Sequence, residues 1–165
     1  MNKVIGFLLM SITFTAQATD EHTLFGIKIG EKAPAGFIER VTSGSPFLIV
    51  AVPTAKTMQN ALPDVNVFIF NDSHVVAGLR GDRAFHESAS CETAKALVHE
   101  QLRMAYPVKY SGSDQKYQFQ SKDGKILAGA VCTSIGPFPR LTLEVTDPLL
   151  EERMFSTLRH HRDGP

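Results

Sequence analysis

The sequence has no basic stripe, no polybasic cluster and no net charge, since 17 Lys and Arg balance 17 Asp and Glu. No nucleic-acid partner is expected, because phosphate binding needs clustered cations. The same lack argues against a membrane-surface role, which calls for a basic amphipathic helix or a polybasic run. Proline, glycine and serine never gather into a linker, and no low-complexity block interrupts residues 19–165. A single domain without an internal boundary is expected there. Cysteine is scarce, and Cys91 and Cys132 leave room for one intramolecular disulfide.

One long apolar run is present, at the N-terminus. Lys3 supplies a positive start, residues 4–14 are apolar except for Gly6, Ser11 and Thr13, and Ala16-Gln17-Ala18 offers the small residues a signal peptidase requires. Residues 1–18 are therefore expected to be a cleaved secretory signal peptide. The run is about half the ~20 residues a spanning helix needs, so a retained anchor is the weaker reading. No cysteine follows Ala18, which gives no support to lipid anchoring there. Cleavage also removes Lys3, leaving the mature chain with one more acidic than basic residue.

Export changes the meaning of the cysteines. In an oxidising compartment Cys91 and Cys132 are expected to pair, and closing that loop restricts the unfolded chain by roughly 3–4 kcal/mol on the chain-entropy account. The competing reading makes Cys91 a thiolate nucleophile activated by a helix start. A partner thiol in an oxidising space argues against it.

Apolar periodicity outlines the elements. Residues 24–29 alternate as a first strand, and residues 30–36 form a connection. Residues 47–52 are a continuous apolar run suited to a strand covered on both sides, and residues 54–64 read as a loop with a helical turn. Val65, Val67 and Ile69 share one face of a strand, and Val75, Ala77 and Leu79 one face of the next, with Asn71-Asp72-Ser73 as the turn of a hairpin. Ser88 or Ser90 is placed to cap a helix whose stripe is Cys91, Ala94, Val98, Leu102 and Ala105, ending before Pro107. A second set follows: residues 117–120 and 126–132 flank an Asp123-Gly124 turn, then Leu141, Leu143 and Val145 alternate. Asp147 caps a last helix with Pro148 in its first turn and Leu150, Met154, Phe155 and Leu158 as its stripe. Strands in runs with only two helices predict an α+β domain, its sheet mainly antiparallel, both helices on one face and the disulfide joining the first helix to the second hairpin.

Patterns that carry chemistry are weak. Ser43-Gly44-Ser45 and Ser111-Gly112-Ser113 are loop-like, and no Gly-x-Ser-x-Gly elbow is present. His86, Glu87, Cys91 and His99 fall close together, but helical spacing sets Lys95 and Arg103 beside His99, where they repel a cation. His160-His161 sit among helix-end cations. No catalytic residue, metal ligand or cofactor site is therefore assigned. Arg80-Gly81-Asp82, with Arg83 and His86, is expected to form a loop leaving a strand, and Arg80, Asp82, Arg83 and His86 are the candidate partner-contact residues. Phe68, Phe70, Phe85, Tyr106, Tyr110, Tyr117 and Phe119 exceed what one sheet face requires, so some are expected to cover the other face or meet a partner. Pro137-Phe138-Pro139 reads as a rigid loop before a strand.

In general character the chain resembles small signal-bearing proteins of Gram-negative envelopes, which implies the periplasm, with the medium as the alternative. The expected function is a non-enzymatic binding protein that inhibits or neutralises an envelope protein partner or acts as an envelope accessory. The alternatives are a small envelope hydrolase, its site assembled around His74, His86 or His99, and a carrier of a small apolar ligand. Oligomeric state is left open by the sequence.

Overall fold

The computed structural model describes residues 23–38, 46–134 and 136–163. The expected signal peptide, residues 1–18, and the Ser43-Gly44-Ser45 loop lie outside the described residues, as do the side chains of His160 and His161. The elements are β1 (Thr23–Leu24), β2 (Ile27–Lys28), α1 (Ala35–Ile38), β3 (Phe47–Pro53), β4 (Asp64–Phe70) and β5 (Val76–Ala84), then α2 (Ser88–Ala105). After them come β6 (Val108–Lys109), β7 (Phe119–Gln120), β8 (Leu127–Thr133), β9 (Arg140–Thr146) and α3 (Pro148–Asp163). Seven strands form one sheet in the order β3-β4-β5-β9-β8-β7-β6, every neighbouring pair antiparallel. The class is the expected α+β.

Strand alternation builds the main core on the sheet's first face. Val65, Val67, Leu79, Leu141, Leu143 and Val145 point there and are almost fully buried. The α2 stripe of Cys91, Ala94, Val98, Leu102 and Ala105 packs onto them, as its spacing requires. Two local bonds hold the helix down. Cys91, in its first turn, is disulfide-bonded to Cys132 of β8, and the His99 Nε2–H donates to the Ala130 carbonyl at 2.8 Å, with the ring edge-on to Phe119. The helix begins after Glu87, which makes no side-chain cap; Ser88 and Ser90 lie inside it and do not cap it. It ends before Pro107, which has no N–H to continue the ladder.

The N-terminal segment closes one end of this core. Residues 24–29 are not one strand: Phe25 and Gly26, with φ of 56° and 76°, turn the chain so that β1 and β2 pair as a tight hairpin. Leu24, Ile27 and Ile29 are then all buried. At another margin, residues 54–63 fold through turns that bury Met58, Ala61 and Leu62, and the Thr54 hydroxyl donates to the Leu62 carbonyl.

Two departures from simple alternation shape β5. Phe68 pairs with Gly78 but Ile69 with Val76, so Ala77 is an extra residue, a β-bulge. Val76 and Leu79 face the main core, whereas Ala77, expected to share the Leu79 face, joins Phe47 and Phe70 on the second face. The strand also continues through Arg80-Gly81-Asp82, which is not a loop: Gly81 pairs with Leu143. A side chain at Gly81 would meet Val65 Cγ1 at 3.1 Å and would press on the main core.

The two long helices do not share a face. Leu150 and Met154 of α3 pack on Phe47, Phe70 and Ala77, the second-face cluster, with Leu150 also touching the rim of the main core. The bulge that moves Ala77 creates the small site on which α3 rests. Asp147 caps α3 as expected, its Oδ1 accepting from the Leu149 N–H at 2.9 Å. β3, expected to be covered on both sides, is an edge strand whose Ile49 is 59% exposed on the second face.

Candidate binding surface on the second sheet face

The second face is apolar at one end and charged in its centre. Ile49, Phe68 and Gly78 lie side by side across β3, β4 and β5, and Arg80 of β5 stands opposite Glu144 of β9. α3 covers only part of this face. Between helix and sheet lies a groove of about 140 Å³, lined chiefly by Phe68, Ala77, Arg80, Glu144, Met154 and Phe155. Phe155 is 52% exposed at its lip.

The charged end is organised around Glu144. Its Oε1 accepts from Lys116 Nζ and from the Tyr117 hydroxyl, both at 3.3 Å. Lys116 lies 4.7 Å above the Tyr117 ring, and Gly129 makes the approach of this segment possible: a Cβ there would fall 1.9 Å from the Lys116 carbonyl oxygen. Burial pushes the Tyr117 phenol up to about 12, so the hydroxyl stays protonated and donates. For Lys116, burial works against the charge, but the contacts with Tyr117 and Glu144 outweigh it and raise the ammonium above its usual value. Glu151 of α3 also borders the groove. Arg80 has no ion-pair partner among the described residues.

The rim carries further ion pairs. Arg140 bonds Asp82 at 2.7 Å. Arg153 bonds Asp72 at 2.7 Å and lies 4.2 Å over the Phe70 ring. The Asp72 carboxyl is held below its usual value by the Ser73 hydroxyl and by Arg153. These pairs orient side chains at the edge of an apolar patch.

The four candidate contact residues are divided by the fold. Arg80 and Asp82 alternate with Gly81 and so face the second side, Arg80 in the groove and Asp82 at the rim. Arg83 points the other way, where its guanidinium donates to the Gln59 and Asn60 carbonyls and stacks 5.2 Å from the Phe85 ring. His86 follows β5 and meets Phe138 edge-on at 5.6 Å. Reasoning along the chain missed Glu144 and Lys116, because nothing local tells that a carboxylate in Arg140–Thr146 lies beneath a cation 28 positions earlier. The excess of aromatics was the available signal, and Phe68, Phe70 and Tyr117 are members of that set that reach this face.

Other candidate sites are placed as follows. His74 occupies the β4–β5 turn with φ of 56°, His86 lies beyond the far end of β5, and His99 is bound to Ala130, so the three histidines do not converge. Among the described residues no three His, Cys, Asp or Glu side chains gather as metal ligands. Two larger clefts, of about 350 and 340 Å³, border Asp72 and Leu97 respectively. The one at Leu97 is lined mostly by exposed residues, and the one at Asp72 has only Phe70 buried in its wall, so both would leave a ligand largely in water. No described helix is long and apolar enough to cross a membrane. No protein-family model, curated protein or solved structure matches the chain.

Proposed function

We propose that the chain is a small exported, non-enzymatic binding protein of the periplasm that inhibits or neutralises a protein partner held on the second sheet face beside α3. The groove beneath Phe155 carries this reading. At about 140 Å³ it is smaller than the roughly 300–1,000 Å³ of small-molecule sites, and it suits one apolar side chain projecting from a partner. Such a pocket ringed by exposed apolar and paired charged residues has the composition of an interaction hot spot. Arg80, at the charged end, calls for a carboxylate on the partner beside that apolar anchor. The size of the groove speaks against a carrier of an apolar ligand. Export is supported by the N-terminal pattern and by a disulfide that suits an oxidising compartment.

The test is affinity capture from periplasmic extract with the oxidised protein and with Arg80→Glu, an exposed substitution. The wild type is expected to retain one stoichiometric protein through washing, and Arg80→Glu to lose it. Equal retention by both, or no retention together with turnover of an envelope substrate, would overturn the reading. Fractionation of cells should recover a chain beginning at Thr19, lighter by two hydrogens than its reduced form. A full-length, reduced chain in the cytoplasm would remove the proposed compartment.

A further inference from the structure

The two edges of the seven-stranded sheet differ in a way the groove does not use. β6 has two residues and carries Lys109. β3 has seven, Phe-Leu-Ile-Val-Ala-Val-Pro, without a charge. Edge strands are ordinarily blunted by shortness, charge, bulges or proline, because their outward N–H and C=O groups pair with any strand that arrives. On β3 only Pro53, at its last position, does this.

Hydrogen bonds at the ends of β3 reveal which backbone groups point outward. The Asn71 N–H donates to the Pro46 carbonyl and the Thr54 N–H to the Pro63 carbonyl, each at 3.1 Å. Both bonds continue the β3–β4 register, in which Phe47 opposes Phe70 and Pro53 opposes Asp64. Bonded pairs alternate along an antiparallel ladder. Leu48, Val50 and Val52 therefore turn their backbone groups toward β4, and Ile49 and Ala51 turn theirs away from it. Among the described residues no strand pairs with that outer side.

We propose that β3 pairs antiparallel with β3 of a second copy, two-fold about Val50, so that Ile49 of one protomer opposes Ala51 of its partner. In this register Ile49 and Ala51 exchange both backbone bonds with their counterparts, four in all. A slide of two residues toward the C-terminal end would set Pro53, which has no N–H, opposite Ile49. The side chains agree with the backbone: Ile49, 59% exposed, lies against the small Ala51, and Val50 meets itself at the margin of the core. No charge in the strand repels its copy. The strand is its own complement in bonding, size and charge, as a two-fold contact demands. The outer edges of the pair are then the two short, lysine-bearing β6 strands, so growth stops at a dimer. The axis runs perpendicular to the sheet and puts both second faces on one side.

Sedimentation equilibrium of the oxidised protein should show a mass rising with concentration toward twice that of the monomer. Ala51→Pro deletes an outward N–H without touching the β4 ladder, and removes two of the four bonds. It should weaken association about tenfold or more while leaving the far-ultraviolet circular dichroism unchanged. Val50→Cys, on the axis in a non-bonded pair with Cα atoms about 4.5 Å apart, should form a covalent dimer under mild oxidation. Val52→Cys, whose copy lies four residues along, should not. A wild type that stays monomeric from micromolar to millimolar concentration overturns the proposal. So does an Ala51→Pro protein that dimerises as the wild type does, or Val52→Cys cross-linking as readily as Val50→Cys.

Discussion

Along β9, one alternation produces Leu141, Leu143 and Val145 on the first face, all fully buried, and Thr142, Glu144 and Thr146 on the second. The first set meets a continuous apolar lining from α2, the β1–β2 hairpin and residues 54–63, with a disulfide holding the helix in place. The second set meets a patchwork: α3 at one end, Lys116 and Tyr117 at another, and open surface at Ile49 and Phe155. The contrast teaches that a sealed core and an incompletely covered surface are separated in this molecule by the thickness of one sheet. A face sealed by apolar contact has nothing left to offer a partner, whereas a face covered in pieces retains grooves with charge at their ends.

The sharpest way to break that comparison is to truncate neighbouring residues of β9. Leu143→Ala is expected to cost about 4 kcal/mol, through lost burial and a cavity, while Thr142→Ala costs under about 0.5 kcal/mol. Urea denaturation measures both, and similar losses would erase the distinction between the faces. Replacing both cysteines, Cys91→Ala with Cys132→Ala, should remove about 3 kcal/mol and lower the Tm, because the loop between them is freed in the unfolded chain. An unchanged Tm would show that packing and the His99–Ala130 bond hold α2 without the disulfide.

Gly129→Ala probes the patchwork side. Its Cβ would collide with the Lys116 carbonyl, 1.9 Å away, and push Lys116 and Tyr117 off Glu144. A loss of about 2 kcal/mol is expected by equilibrium unfolding. A smaller effect comes from Tyr117 itself. Its folded value of about 12 lies above the ordinary 10.0, so its contribution is complete below pH 10 and drains away as pH rises toward 12. Stability measured across that window should fall less steeply in Tyr117→Phe than in the wild type; identical slopes would contradict the buried phenol. The smallest effect lies on the acid side. The Asp72 and Asp123 carboxyls are held below 3.8, by the Ser73 and Ser121 hydroxyls first, so their support is present above that pH and fades as pH falls through their folded values. Both are exposed, and Asp72→Asn should change the acid limb of the stability curve only slightly.

Local signals were legible where local physics suffices. The α2 stripe, the Asp147 cap, the Asn71-Asp72-Ser73 turn and the disulfide follow from spacing, side-chain chemistry and the expectation of export. The signals failed where a neighbouring strand decides. Val75, Ala77 and Leu79 alternate perfectly in sequence, yet the bulge against Phe68 and Ile69 turns Ala77 to the other face. Gly81 resembles a strand terminus until Val65 and Leu62 are seen to occupy the space a side chain would need. The apolar run in β3 suits a doubly covered strand, but its place at the end of the sheet order leaves Ile49 in water. Of the candidate surface, Arg80 and Asp82 were named for their proximity in the chain, and Glu144, Lys116 and Met154 join Arg80 only through folding.

By itself the sequence determined the two long helices, most of the long strands, the α+β class and the expectation of a staple, because periodicity, capping and thiol chemistry act within or between a few known residues. Tertiary structure alone decided that α2 and α3 lie on opposite faces and that β3 is an uncharged edge. It also decided that a carboxylate, a cation and a phenol meet beside an apolar groove. Strand order and register are properties of pairing between distant segments. A one-residue bulge, invisible in any single strand, was enough to move a side chain through the sheet and give the last helix its seat.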